Sequence, residues 1–358
     1  MKGLLGRSTE LIGNVEGAYL GHSTEPTWRE TAASGGAVSQ ILLSLLEGGS
    51  IDGALVTRLA VSDGVISAET FLARSRDELR EAQGSKYIDT TCMKALHSLR
   101  DEEGVFAVVG LPCHLRRLRA LEAENPELKE KIALRIGLFC GGSHAHGLLY
   151  DVLSKLGVDR HDIASFRFKQ GHWRGRMSVT VRSGEELSWP WLGTLGMYKN
   201  LYLDVLPRCL SCTDHMAEQA DLSCGDVWLP EMRADPVKHT LILARSDWAH
   251  EALLGIAGGG DLELTQISIE KVILAQRRSL IFKKRAIGAR RRLAPLFGFR
   301  IENGESVCPP AWNDYVGSFF VLMNARLSRN RLARRVILSI PRPLLKLCMY
   351  FIALTKHF

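Results

Sequence analysis

Cys209 and Cys212 stand two residues apart in the segment Arg208-Cys209-Leu210-Ser211-Cys212-Thr213-Asp214. A Cys-x-x-Cys pair puts two sulfurs on one local turn, which suits a tetrahedral metal or one edge of a cluster. Alone it is half a site: a zinc knuckle, a redox dithiol or half of an iron–sulfur centre. The other half must come from elsewhere in the chain, and Cys113 and Cys140 are the natural donors. Each follows a continuous apolar run, Val105 to Gly110 and Ile132 to Phe139, and each lies in a Gly-flanked loop. Together Cys113, Cys140, Cys209 and Cys212 suit a 4Fe-4S cluster or a structural zinc. The plainer reading of Cys113 and Cys140 is a small buried hydrophobe. Their place in loops, not strand interiors, favours ligands. Cys224 reads as a packed thiol, with an approach to the same cluster as the alternative. Cys92, Cys308 and Cys348 lack cysteine partners at useful spacing and read as structural.

Two short segments suit anion or cofactor binding. Ser34-Gly35-Gly36 opens an apolar-periodic helix, and the amino end of a helix favours a phosphate. Gly84-Ser85-Lys86-Tyr87 offers a lysine among hydroxyls for a flavin ring edge or a pyrophosphate; the bland alternative is an exposed helix end. His144 and His146 follow Cys140-Gly141-Gly142 and read as solvated loop histidines rather than a catalytic base. Phe166-Arg167-Phe168 and His172-Trp173-Arg174-Gly175 are candidate cofactor walls, with core packing the commoner use of such aromatics. The chain has no Walker A motif, no G-x-G-x-x-G after a strand, no H-E-x-x-H and no G-x-S-x-G.

The elements that must position these residues are legible as periodicities. Gly17 to Leu20 reads as a short strand, and Ala37 to Glu47 as a helix stopped by Gly48-Gly49. Asp52-Gly53 turns into a buried strand. Val105–Gly110, a charged helix from His114 to about Lys131, and Ile132–Phe139 form a strand–helix–strand unit, so the two strands should be parallel. Cys113 and Cys140 then lie past the carboxyl ends of those strands, the edge where open α/β sheets bind ligands. A hairpin turns at Ser183-Gly184, Thr240 to Arg245 is a buried strand, and 247–257 is a helix. Glu263 to Ile267 follows as a short strand, and a basic helix runs from Ile269 to Arg292. The expected class is α/β: mixed sheets with parallel strand–helix–strand units and a β-hairpin, plus a C-terminal helical tail.

The 358 residues, 46% hydrophobic and 24% charged, form a globular composition that excludes wholesale disorder and a disulfide-stapled miniprotein. A net charge of +7 hides an asymmetry: from Lys271 on, 18 Lys/Arg face 3 Asp/Glu, leaving 28 against 36 in the body. An acidic body argues against nucleic acid as a partner. The opening residues lack the apolar core of a secretory signal, so the eight cysteines are expected in a reducing cytoplasm, where metal or redox work outranks disulfides.

These motifs in this order resemble the family of coenzyme F-420 hydrogenase/dehydrogenase beta subunits, which includes chlorophyll-pathway flavin/iron–sulfur reductases. The likeness is carried by Ser34-Gly35-Gly36, Gly84-Ser85-Lys86-Tyr87, Gly110-Leu111-Pro112-Cys113, Gly137-Leu138-Phe139-Cys140-Gly141-Gly142, Phe166-Arg167-Phe168, Cys209-x-x-Cys212-x-Asp214, and Ala220-Asp221 through Gly225-Asp226-Val227-Trp228. The resemblance implies an oxidoreductase that moves electrons between FAD, a 4Fe-4S cluster and a small substrate such as a deazaflavin, or a partner protein. It makes Cys113, Cys140, Cys209 and Cys212 the cluster ligands. It sets Ser34, Gly35, Gly36, Ser85, Lys86 and Tyr87 near the flavin, with Lys86 acting at the flavin N1/C2 carbonyl edge. Many relatives begin with a ferredoxin-like Cys-x-x-Cys-x-x-Cys segment, whereas the first cysteine here is Cys92. Two alternatives stand beside this reading: an electron-transfer subunit without its own substrate, and a zinc-stabilised scaffold that is no enzyme.

Three regions are expected: 1–100, an N-terminal α/β flavin-associated region; 101–295, an iron–sulfur and flavin catalytic domain; and 296–358, a basic apolar helical tail. The family pattern does not explain the tail. Its mixture of arginines and apolar residues suits an anionic membrane surface, here the inner face of the membrane. The alternatives are the body's own acidic face or a partner.

Overall fold

The computed structural model describes residues 6–172, 175–302 and 305–356. Eleven strands build two sheets among the described residues. They are β1 (Gly17–Ser23), β2 (Gly53–Ser62), β3 (Val65–Ala73), β4 (Phe106–Gly110), β5 (Ile132–Leu138), β6 (Ile163–Gln170), β7 (Arg176–Val181), β8 (Glu186–Pro190), β9 (Leu222–Asp226), β10 (Thr240–Ala244) and β11 (Leu262–Gln266). The larger sheet runs β11-β1-β10-β9-β5-β4-β2-β3 and the smaller β6-β7-β8. The pairs β2–β4, β4–β5 and β5–β9 are parallel; the outer pairs are antiparallel. This is the mixed α/β class that the sequence led us to expect.

β4 shows why its run is apolar without interruption. Phe106 and Val108 face a core with Leu115, Leu118 and Ile132, while Ala107 faces the opposite core with Leu134 and Ile136. A strand buried on both faces has no polar side to alternate with. β2 and β3 form a hairpin missed in the periodicities. It turns at Asp63-Gly64, where both φ angles are positive (48° and 73°), the backbone a two-residue hairpin turn needs.

Two expected helices are broken. The span from His114 to Lys131 is two helices, Pro112–Glu124 and Pro126–Glu130. Pro126 has no N–H to continue the first, and the Asn125 side chain accepts from Leu128 N–H to start the second. The basic span from Ile269 is a helix, Ile269–Leu280, then a π-helical turn, Ile281–Arg285, then Ile287–Leu293. The wide turn aims three consecutive cations inward: Lys283, Lys284 and Arg285 are all buried.

The C-terminal helices Trp312–Leu327, Arg331–Ser339 and Arg342–Leu354 do not trail away. Val321, Leu322, Leu338, Leu345, Met349 and Ile352 share one core with Phe166, Phe168, Met177 and Val179 of the smaller sheet.

Candidate functional site

The four cysteines gather at the carboxyl edge of the parallel strands. β4 ends at Gly110, and Cys113 lies in the first turn of the Pro112–Glu124 helix, whose proline suits that first position. β5 ends at Leu138, and the chain is then tied down. Phe139 N–H donates to Cys224 O at 2.8 Å and Cys140 N–H to His215 O at 2.9 Å. Gly142, at φ +141°, lets the loop reverse, and Ser143 N–H then donates to Cys209 Sγ at 3.3 Å. Cys209 sits in the short helix Pro207–Ser211, and Cys212 follows directly. All eight cysteines are free thiols.

Charge shows the convergence. Cys113 is open to solvent yet ringed by protein; that burial, then the thiolates of Cys140, Cys212 and Cys209, push its thiol up to about 11. Burial also raises Cys209, with Cys140 adding to it. Thiolates at these four positions would repel one another and need cations nearby, and the chain supplies them. Lys283 Nζ donates to Cys212 Sγ at 2.9 Å and to Asp214 O at 3.1 Å. Arg290 is fully buried, donating to Leu210 O at 3.2 Å and Phe282 O at 2.5 Å, and its Nη2 has no partner. Burial pushes this guanidinium down to about 10. Neither cation has a carboxylate against it, although a buried charge is held only when it is paired. As the side chains stand, no three His, Cys, Asp or Glu among the described residues are drawn tightly enough to hold a metal ion. The donor set itself, four thiols ringed by cations, fits a thiolate-ligated cluster, whose net charge is negative.

Cys140 and Gly141 also line a cavity of about 1120 Å³. Its walls include the sequence-predicted flavin segments: Ser34 and Gly36 at the amino end of the Ala37–Glu47 helix, and Gly84 to Tyr87. A Cβ on Gly35 would fall 2.6 Å from Gly21 O and 2.8 Å from Lys238 O, so only glycine lets this turn pack against β1. Ser34 Oγ donates to His239 O at 2.6 Å, fixing the turn to the strand beside it. Tyr87 stacks on Trp191 at 4.8 Å and meets Phe168 edge-on at 5.6 Å. Phe166 and Phe168 are buried core residues backing that wall, while Arg167 faces outward. Trp173 and Arg174 lie outside the described residues.

Lys86 Nζ is held by backbone carbonyls, donating to Gly84 O at 2.9 Å and Gln83 O at 3.1 Å, with a third bond to Ala82 O. It thus caps the chain leaving the Arg76–Glu81 helix, and burial lowers its ammonium to about 7. His144 is not a solvated loop residue as the sequence suggested. It is buried, its Nδ1 is 2.7 Å from Leu203 O, and burial drives its imidazole down to about 3. The loop folds back between Ile88 and Val205 through isolated bridges, which no local pattern announces. Cys224 is a packed thiol within β9, pushed by burial up to about 12. Three site residues escaped the sequence reading. Lys199 lies 3.6 Å over the Tyr87 ring on the cavity wall, and Lys283 and Arg290 sat unnoticed within a basic stretch. Burial lowers the Lys199 ammonium to about 7.

Residues 18–97 match the family model for the N-terminal part of the "Coenzyme F420 hydrogenase/dehydrogenase, beta subunit", and residues 104–270 match the model for its C-terminal part. A coenzyme F420-dependent sulfite reductase from Methanocaldococcus jannaschii is 31% identical over 215 residues, covering 55% of this chain and 31% of that one. The F subunit of an F(420)H(2) dehydrogenase from Methanosarcina mazei is 30% identical over 200 residues, 55% of this chain and 53% of that one. The chain therefore spans under a third of the first and about half of the second. A chain in the F420-reducing [NiFe] hydrogenase complex from Methanosarcina barkeri has the same fold: TM-score 0.61 at 19% identity, over 82% of this chain and 96% of that one.

Proposed function

We propose that this chain, which belongs to the family of coenzyme F420 hydrogenase/dehydrogenase beta subunits, is an oxidoreductase passing electrons between FAD in the large cavity, a 4Fe-4S cluster and a small acidic substrate or partner protein. The observation that carries this reading is the set of four thiols gathered around Cys140, itself on the cavity wall, with buried Lys283 and Arg290 beside them and no carboxylate bonded to either cation. Cys113, Cys140, Cys209 and Cys212 would hold the cluster. Bound together, a flavin and a cluster convert two-electron chemistry into single-electron transfer.

The chain's own residues do the rest. The amino end of the Ala37–Glu47 helix, with Ser34, Gly35 and Gly36, would bind the FAD pyrophosphate. Ser85, Lys86 and Tyr87, with Trp191 behind, would form the ring wall and exclude water. We assign Lys86 to the N1/C2 carbonyl edge, where the protonated amine would favour the reduced, anionic ring and that ring would in turn favour the protonated amine. Lys283, and Ser143 N–H on Cys209 Sγ, would raise the cluster potential by offsetting thiolate charge. Arg233, Lys271 and Arg277 on the cavity wall support an acidic small molecule, and the names of two relatives carry coenzyme F420 or F(420)H(2). Relatives named as subunits support a protein partner, and eight unpaired cysteines support a reducing cytoplasm.

The test is purification without oxygen, with iron, sulfide and flavin analysis and a visible spectrum. One cluster's complement of iron and sulfide with one flavin per chain is expected. A colourless protein with stoichiometric zinc overturns the reading. Turnover of an added deazaflavin separates an enzyme from an electron carrier.

A further inference from the structure

The C-terminal helix Arg342–Leu354 is apolar on two sides. Leu345, Met349 and Ile352 point into the core, at spacings of four and three. On the other side Leu344, Leu347, Phe351 and Leu354 form a second stripe, 44–66% exposed. A helix that packs once needs only one stripe. The outer stripe does not end with the helix: Phe351, Phe320, Phe319 and Phe297 touch edge to face in a chain, at 5.3, 5.7 and 5.2 Å. They join it to the Trp312–Leu327 helix, whose Trp312 is 80% exposed.

Along this end of the chain the charge has one sign. From Tyr315 to Phe358 there are eight Lys/Arg and no Asp or Glu. Arg334 is used internally, against Asp151 at 2.6 Å and Asp204 at 3.3 Å. Arg331, Arg335, Arg342 and Lys346 are exposed, and none has a carboxylate partner among the described residues. The Arg331–Ser339 and Arg342–Leu354 helices bend by 106° at Ile340-Pro341. Thirteen residues reach only about 20 Å, short of a hydrocarbon core of about 30 Å. No helix among the described residues is long and apolar enough to cross.

We propose that this face docks on an anionic lipid surface, with Leu344, Leu347, Phe351 and Leu354 in the headgroup–acyl boundary and Arg331, Arg335, Arg342 and Lys346 against lipid phosphates. An amphipathic surface of this kind lies in the interface plane. Long basic side chains beside it keep their stems in the apolar layer and their charges at the phosphates. The rest of the molecule favours the same orientation. The body up to Glu270 carries 28 Lys/Arg against 36 Asp/Glu, so an anionic surface attracts the basic end and repels the body. A protein partner would have to meet four unpaired cations with acids placed one by one; a bilayer rich in anionic headgroups meets them without fixed geometry.

The inference does not depend on the redox reading, and its test needs no cofactor. The full chain is sedimented with vesicles of phosphatidylcholine alone, and with vesicles of equal parts phosphatidylcholine and phosphatidylglycerol. Binding to the anionic vesicles alone is expected, weakening as salt rises. Leu347→Glu with Phe351→Glu should abolish it. Arg331→Gln with Arg335→Gln should weaken it about thirtyfold, roughly 1 kcal/mol per cation. All four side chains are exposed, and near-ultraviolet circular dichroism checks that the variants fold. A chain left in solution with both vesicles, or bound equally well in both variants, overturns the proposal. So does a stable dimer or protein complex that Leu347→Glu with Phe351→Glu dissolves while vesicles do not compete for it.

Discussion

Arg135 and Arg290 are both buried guanidiniums, and the chain treats them differently. Arg135, on β5, is clasped by carboxylates: Glu122 at 2.7 Å and Asp221 at 3.1 Å, with Arg119 completing the network. Arg290 hydrogen-bonds only to backbone carbonyls, lies 3.7 Å over the Phe282 ring and keeps one nitrogen without a hydrogen-bond partner. The first arrangement is complete within the polypeptide. The second, with Lys283 on Cys212 Sγ, is balanced only if the thiols beside it carry negative charge. A cation matched by acids is structural; one matched by thiols marks where the chain expects a ligand-bearing group.

The sharpest break in that comparison is the loss of a thiol. Cys140→Ser should remove the cluster iron from anaerobically purified protein, measured by iron and sulfide analysis. Folding, followed by circular dichroism, should persist because Cys140 is tied to His215 through its backbone. Next comes the complete network. Asp221→Ala should cost about 3–5 kcal/mol in urea unfolding, because it leaves buried Arg135 short of a partner. The same loss should appear with and without the cluster. Arg290→Met should cost much less in the cluster-free protein, yet lower the cluster midpoint potential by tens of millivolts in a redox titration, as Coulomb's law gives for a nearby lost charge. Equal effects of Asp221→Ala and Arg290→Met on that potential would erase the distinction.

The smallest effects concern Lys86. Its ammonium is lowered to about 7 from 10.5 by burial. Between those values the native side chain has already lost its proton while the unfolded chain still holds it. Stability from this residue therefore rises with pH across that window and is flat below it. Lys86→Met should remove its share of the rise, read as the urea midpoint against pH, and leave the share of Lys199, which is likewise lowered to about 7. Lys86→Ala should also lower the flavin midpoint potential, and an unchanged flavin potential would remove Lys86 from the ring edge.

The paths by which the chain reaches this arrangement were legible to different degrees. β4, β5 and the helix between them declare themselves through unbroken apolar runs and a charged spacer, so the positions of Cys113 and Cys140 past two adjacent strand ends followed from periodicity. Pro126 broke that helix for a reason visible in the sequence, though the charge pattern ran across it. The π-helical turn at Ile281–Arg285 left no such mark. Its cations look like an ordinary solvated basic face until Cys212, Glu218 and Asp314 are found opposite them. His144 and Lys199 were equally silent, because their burial depends on segments distant in the chain.

Residue type and local spacing alone determined the α/β class, the four candidate thiols and the basic, acid-free end. Backbone periodicity, turn chemistry and charge counts are properties of neighbours along the chain. Tertiary structure alone decided which cations face the thiols, that Ser34 and Tyr87 wall one cavity, and that the last helix presents a second apolar stripe. Those facts depend on which distant elements pack together, and desolvation, which decides whether a lysine is a solvated charge or a buried one, is settled only by that packing.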